Sequence, residues 1–182
     1  MKRFFSAPFF LLGGALAGVA SAYAAVQMLG TAAIASGSPW QVRNVAATSA
    51  AHPYTVAHYL LHGRLPPSDG QFVEFTASGD EAGNALSAAC DYVLTLPREK
   101  QPDWWSVTAE GEVAADNATV MSSGIVLEAD GSVRLIASRY PQPGNWIAAP
   151  RSGGYSLLYT ASSGGTASDT AVPAFALAKG RC

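Results

Sequence analysis

The chain has 182 residues, which is enough for one globular domain and a short appendage. Hydrophobic residues make up 49% of it and charged residues 13%, half of the ~25% that is usual in soluble domains. Residues 40–182 carry nine Lys or Arg against all thirteen acids, a net charge of −4, and show no basic stripe. This balance argues against a nucleic-acid-binding protein.

The first element along the chain is a charge-free apolar run, Phe4–Ile34, which follows a basic start. About 20 apolar residues span a bilayer core, and this run has 31. A cleaved signal peptide is the alternative, with the small-residue motif at 22–24 as its cleavage site. Because the run continues beyond that motif, we predict that residues 1–36 are retained as a membrane anchor.

Lys2 and Arg3 set the orientation of this anchor. Basic residues beside a membrane helix favour the cytoplasmic side. We therefore expect a helix in the inner membrane with a cytoplasmic N-terminus and a periplasmic C-terminal domain. Trp40 follows shortly after the run, and we expect it to lie at the outer membrane interface, where tryptophan is enriched.

Three small residues, Gly14, Gly18 and Ala22, recur every four positions within the run. Small residues at this spacing let two membrane helices approach closely. The pattern indicates packing against another membrane protein or a second copy of the chain. Ala and Gly are so frequent here, however, that chance also explains it.

A short helix is predicted where the chain enters its folded domain. Pro53 suits the first turn of a helix, and Val56, Tyr59 and Leu60 fall on one apolar face. Gly63 ends the pattern. We therefore predict a helix of about ten residues.

The remainder of the chain shows the alternation of β-strands. After a linker at 37–51, a folded domain is predicted at 52–163 and an irregular tail at 164–182. Six strands are predicted within the domain, at residues 71–78, 90–97, 103–111, 124–128, 132–138 and 154–162. Asp130-Gly131 forms the tight turn of a hairpin between the fourth and fifth strands. The prediction is an antiparallel β-sandwich or jelly-roll, since no βαβ rhythm indicates a nucleotide-binding fold.

Several segments of this domain resemble the bacterial family known as domain of unknown function 1214. They occur in the family's order and cover about residues 50–160: AHPYTVAHYLLHGRLP, DEAGNALSAACDY, DWWSVT, the hairpin DGS and PGNWIAAP. The resemblance implies an envelope protein with a jelly-roll-like β domain, of the short type that has one membrane helix. The family supplies no agreed activity, so it implies no catalytic residue.

The chain departs from the family pattern at three places. His52 stands where the family usually has Asp, and Asp103 precedes the Trp pair where a basic residue is common. The closing strand is followed by TASSGGTASD instead of a run that contains Arg. A site built from those charged positions in relatives would be altered here.

His58 and His62 stand four residues apart, on one face of the predicted helix. Zinc sites use this spacing, but they need a third ligand. His52 lies off that face, and Asp69 is the nearest acid. We therefore predict no metal site and no cofactor, and expect these histidines to lie on the solvent-exposed face of the helix.

The two cysteines, Cys90 and Cys182, allow two interpretations. They could form a disulfide that closes a loop of about 90 residues. The preferred interpretation is a buried Cys90 and a free thiol near a loose chain end.

Catalytic motifs are sparse. The chain lacks the Gly-x-Ser-x-Gly nucleophile motif. Asp80, Glu81, Asp91 and Asp103 could supply a pair of carboxylates, but we expect them to be turn and surface acids.

The tryptophans offer the best candidate binding residues. Trp104 and Trp105 are adjacent on a strand and must face opposite ways, and we expect Trp104 to be the core member. The exposed ring, with Asn145 and Trp146, would form a platform for a sugar, a lipid or a partner protein. The alternative is a structural cluster in which Asn145 holds a turn.

Together these features predict a single-span inner-membrane protein, not an enzyme. Its periplasmic β-sandwich would act as a binding module or as an accessory subunit of an envelope complex. The alternative is a hydrolytic envelope enzyme with carboxylates on the rim of the sandwich.

Overall fold

The computed structural model describes residues 6–30, 33–35, 39–43, 53–61, 72–162 and 176–182. These residues belong to two compact units. The helical unit comprises residues 1–32 and 47–66, and the β unit comprises residues 33–46 and 67–182. The helix that begins at Pro53 was predicted within the folded domain at 52–163, whereas it groups with the helical unit.

The helical unit contains α1, Ser6–Leu29, and α2, Pro53–Leu61. α1 has 24 residues, a length of about 36 Å at 1.5 Å per residue. A bilayer core is ~30 Å thick, and the segment Phe9–Leu29 is long and apolar enough to cross it by length and composition. α2 confirms the predicted short helix; of its predicted apolar face, Tyr59 is buried, whereas Leu60 is 59% exposed.

The two helices meet at Gly30, directly after α1. A Cβ atom at Gly30 would lie 2.6 Å from the Cβ of His58 and 2.7 Å from the carbonyl oxygen of Tyr54. Only glycine fits such a close approach. His58 is therefore buried, 6% exposed, and the expected solvent-exposed position of this histidine is wrong. His52 and His62 lie outside the described residues.

The β unit has ten described strands in two sheets, which form a sandwich-like arrangement and confirm the predicted mainly β fold. The strands are β1 Ala33–Ala35, β2 Trp40–Arg43, β3 Phe72–Ala77, β4 Tyr92–Leu96, β5 Trp105–Glu110, β6 Ala118–Met121, β7 Val133–Ser138, β8 Asn145–Ala148, β9 Ser156–Ser162 and β10 Ala176–Lys179. The six-stranded sheet has the order β1-β2-β3-β9-β5-β6, and the four-stranded sheet has the order β10-β4-β7-β8. All described pairs are antiparallel except β7 and β8.

The core lies between the sheets and follows the period-two alternation of the strands. On every second position the side chains are buried, as Phe75, Val107, Leu135 and Leu157 show. Aromatic rings pack at its centre around Tyr159 of β9. Its ring centroid is 6.1 Å from that of Phe75, and Trp40 and Trp105 lie at 6.4 and 6.2 Å.

Trp40 is a core residue, so its predicted role as a membrane-interface anchor is wrong. It is 0% exposed and pairs through β2 with Ala77 of β3. β2 lies in the segment 37–51, predicted as a linker. Four residues are too few to reveal a period-two pattern in a sequence, and the pairing with β1 and β3 defines this strand.

The segment 164–182, predicted to be irregular, contains β10. Leu177 of β10 is 0% exposed and donates its backbone N–H to Glu81 Oε1 at 3.1 Å. The pairing of β10 with β4 brings the two cysteines together, and Cys90 and Cys182 form a disulfide with a Cα–Cα distance of 3.9 Å. The expected free terminal thiol is therefore wrong.

The predicted hairpin is half correct. The turn exists: Gly131, at φ +80°, donates to the Glu128 carbonyl at 2.9 Å, and Asp130 accepts from the backbone of Ser132. Residues 124–128 do not form a strand, however. The Asn145 side chain bonds both backbone groups of Val126, so it replaces a neighbouring strand at this point.

Candidate binding surfaces

The adjacent tryptophans face opposite ways, but Trp105 is the core member. Trp105 is 2% exposed and lies against Tyr159, so the predicted core position of Trp104 is wrong. Trp104 directly precedes β5 and is partly exposed on the outer face of the six-stranded sheet. Its ring meets that of Phe72 edge-on, with centroids 5.6 Å apart. The backbone N–H of Ser162 donates to the Trp104 carbonyl oxygen at 2.9 Å and so holds the Trp104 backbone in place.

Trp146 is partly exposed on the outer face of the four-stranded sheet. Its core-facing neighbour is Ile147, which is 1% exposed. The indole Nε1–H donates to the carbonyl and to Oγ of Ser138, both at 3.1 Å. These bonds fix the orientation of the ring, so that Trp146 presents a rigid apolar surface.

The side chain of Asn145 makes its hydrogen bonds to backbone groups within the β unit. Its Oδ1 accepts the N–H of Val126 at 2.8 Å, and its Nδ2 donates to the carbonyls of Val126 and Arg134 at 2.7 and 3.0 Å. Three bonds to backbone groups hold residues 124–128 against β7 and β8. Asn145 thereby acts as a structural connector.

The three tryptophans and Asn145 do not come together in one place. Trp105 lies between the sheets, while Trp104 and Trp146 lie on opposite outer faces. The single platform proposed from the sequence is therefore not formed.

A different surface emerges from the strand register. One row of aligned residues crosses all four strands of the four-stranded sheet: Ala178, Val93, Ile136 and Trp146. All four are apolar and lie on the outer face; Ala178 is exposed, and the other three are half-buried. We call this set the apolar row. Contiguous apolar surface marks interaction sites when it is large, so the apolar row is a candidate binding surface.

Polar residues flank the apolar row. Thr95 and Arg134 form the next pair along β4 and β7, and Arg134 is exposed. The sequence shows the aromatic member, Trp146, but not the row. The row depends on the register of β10, β4 and β7, which period-two alternation within one strand does not reveal.

Two of the four candidate acids, Asp80 and Glu81, accept hydrogen bonds from backbone groups. Asp80 is buried, and its Oδ1 accepts the backbone N–H groups of Asn84 and Ala82 at 2.9 and 3.0 Å. The backbone N–H of Asn84 is the main cause that lowers the pKa of Asp80 below its ordinary value. Glu81 accepts from Leu177. Neither acid supports the hydrolytic alternative, and among the described residues no three His, Cys, Asp or Glu side chains are grouped as metal ligands would be.

The sequence comparisons agree with the motifs. A family described as protein of unknown function (DUF1214) matches residues 71–163, just over half of the chain, and the chain therefore belongs to this family. No curated protein matches the chain significantly.

Two solved structures share similarity with the chain. An uncharacterized protein from Burkholderia cenocepacia has 19% sequence identity, covers 62% of this chain and has a TM-score of 0.41. The VPA0106 protein from Vibrio parahaemolyticus has 19% identity, covers 58% of this chain and has a TM-score of 0.43. The chain spans 29% of the length of each of these proteins.

Proposed function

We propose that the protein is a single-span inner-membrane protein whose β unit is a periplasmic binding module or an accessory subunit of an envelope complex. The observation that carries the binding role is the apolar row on the four-stranded sheet. Trp146 is its rigid member, and Arg134 gives its border a positive charge. A partner segment with apolar side chains and an acidic flank fits this surface.

Two features support the proposed topology. Lys2 and Arg3 precede α1, and basic residues favour the cytoplasmic side. The disulfide between Cys90 and Cys182 belongs to the β unit, and such bonds form in oxidising compartments such as the periplasm. We expect the mature protein to begin at Met1 or Lys2 and to stay with membranes after a carbonate wash. An N-terminus at Ala25 would show instead that α1 is removed as a signal peptide.

The apolar row is tested by photo-crosslinking in intact cells. A photoreactive amino acid at Ile136 should give a defined adduct, which is purified in mild detergent and identified. The matched control is the same amino acid at Thr119, an exposed residue of the six-stranded sheet. Adducts of equal yield at both positions, or none at Ile136, would contradict the binding role.

Of the residues predicted from the sequence, we retain two as surface candidates. Trp146 belongs to the apolar row, and Trp104 forms a smaller aromatic surface with Phe72. Trp105 and Asn145 have structural roles.

The small residues of α1 remain a proposed contact with a second membrane helix. A Cβ atom at Gly14 or Gly18 would meet no other atom within 4 Å, so this face is open to a close neighbour. Gly18→Ile should weaken self-association or co-purification of a membrane partner, while Leu16→Ile should not. Equal behaviour of the two variants would assign the pattern to composition alone.

A further inference from the structure

α2 exposes several apolar side chains while it buries a histidine. Four side chains of this nine-residue helix are exposed: Pro53, Tyr54, Leu60 and Leu61. At 100° per residue they fall within one sector of about 120°. Leu60 and Leu61 are 59% and 58% exposed, while His58 is buried at 6%. A surface helix of a soluble protein normally places these residue types the other way round.

The position of α2 relates this face to the candidate membrane span. α2 contacts the last turn of α1 at Gly30, where the backbone of Tyr54 and the Cβ of His58 come close. This is the end at which α1 would leave the bilayer. α1 has large exposed apolar side chains between Phe9 and Leu29. The exposed apolar face of α2 and the apolar surface of α1 therefore belong to the same unit.

The local charge is also consistent with contact to lipid. Between Arg43 and Arg64 the sequence contains no Asp, Glu, Lys or Arg. Helices that lie in a membrane interface bury an apolar face between the headgroups and the acyl chains. Tyrosine is enriched at that depth because its ring is apolar and its hydroxyl is polar, and Tyr54 stands on the exposed sector.

We propose that α2 lies in the outer interface of the inner membrane, with Leu60 and Leu61 inserted among phospholipid acyl chains. The occupant of the exposed face is thus the bilayer itself. This inference rests on the proposed anchoring by α1, and it adds a second membrane contact beyond the single span.

The test uses the full-length protein in vesicles of phosphatidylethanolamine and phosphatidylglycerol. Single cysteines replace Leu61, Leu16 of α1 or the exposed Ser123 of the β unit, and each is spin-labelled without reductant, since the native cysteines are paired. Collision of each label with oxygen, which dissolves in lipid, is compared with collision with a water-soluble nickel chelate. The Leu61 label should favour oxygen as the Leu16 label does, and the Ser123 label should favour nickel.

Each other outcome has a distinct meaning. If Leu16 favours oxygen while Leu61 matches Ser123, α2 is in water and the inference is overturned, although the anchor stands. If Leu16 itself favours nickel, both the anchor and the inference are overturned. If Leu61 is shielded from both reagents, protein covers α2, from a second copy or a partner, and the lipid contact is again excluded. Circular dichroism of each labelled protein confirms that the fold is retained.

Discussion

The helical unit and the β unit distribute polarity in opposite ways. In the β unit, side chains such as Val107 and Leu157 point between the sheets and are 0% exposed, while charged side chains such as Arg134 and Arg151 are exposed. In the helical unit, phenylalanines and leucines are exposed, and His58 is buried. The hydrophobic effect places apolar surface away from water. The difference therefore indicates that the two units are built for different surroundings.

The sharpest contrast within the β unit is the tryptophan pair. Trp105→Ala should lower the free energy of unfolding by about 3–5 kcal/mol, because it removes a buried ring and leaves a cavity. Trp104→Ala is the matched control and should have a much smaller effect, since its ring is already partly exposed. Denaturant titration of the two variants in detergent gives the comparison. Equal losses would show that both rings are buried.

The disulfide should contribute nearly as much to the free energy of unfolding as the buried Trp105 ring. Cys90→Ser with Cys182→Ser should lower the stability of the β unit by about 2–5 kcal/mol, because the open chain gains conformational freedom when unfolded. The helical unit contains no cysteine, so the helix signal of α1 should persist when the β unit melts earlier. Unchanged melting of the β unit in the double variant would contradict the pairing.

The helical unit has its own packing test at Gly30. Gly30→Leu should destabilise the contact between α1 and α2 by about 1–3 kcal/mol, because the added side chain overpacks the junction. Gly18→Leu is the control for this contact, since nothing lies within 4 Å of its Cβ. Protease sensitivity of α2 in detergent reports the contact. The same sensitivity in both variants would show that the helices do not meet there.

Two buried tyrosines of the β unit show how much a hydrogen bond to a buried hydroxyl contributes to stability. The Tyr92 hydroxyl accepts the N–H of Ser87 at 3.0 Å, whereas that of Tyr155 has no hydrogen-bond partner among the described residues. Tyr92→Phe should therefore lower stability by about 1 kcal/mol, and Tyr155→Phe should be neutral or stabilising. Burial raises the pKa of Tyr155, so the wild-type hydroxyl stays neutral in the measurement. A larger loss for Tyr155→Phe would reveal a partner for this hydroxyl.

The smallest expected effect is the loss at low pH of the stability that Asp80 contributes. The backbone N–H of Asn84 donates to Asp80 and lowers the pKa of this carboxyl below its ordinary value, so the folded state favours its charged form. This stabilisation is complete above the unfolded-state pKa and is lost as the pH falls through the folded-state pKa. The stability difference between wild type and Asp80→Ala should accordingly shrink below pH 3.8. A difference that stays constant with pH would assign the role of Asp80 to packing.

Sequence reasoning succeeded where the pattern is local. The apolar length of α1, the helix at Pro53 and the alternation around Phe75 can each be seen within a few neighbouring residues. It failed where a distant partner decides the outcome. Trp40 and Leu177 are buried because β2 and β10 pair with strands far away in the sequence. The strand predicted at 124–128 does not form, because the Asn145 side chain bonds the backbone of Val126 where a neighbouring strand would pair.

The candidate site shows the same division. Trp146 is visible as a large apolar residue, but the other members of the apolar row come from separate segments. Val93 and Ala178, which are aligned in the row, lie 85 residues apart in the sequence. Which of Trp104 and Trp105 points inward depends on the register of β5 against β9. The sequence of a single chain does not show in which register two of its strands pair.

The bond between Cys90 and Cys182 closes a covalent ring of the chain that contains β4 to β10. A protease that cuts one exposed loop inside this ring, such as the one around Val113, opens the ring but does not divide the molecule. The nicked protein should migrate as two fragments only after reduction. Strands from both sheets would remain tethered after the cut, so such a nick should leave a protein that can still refold as one piece.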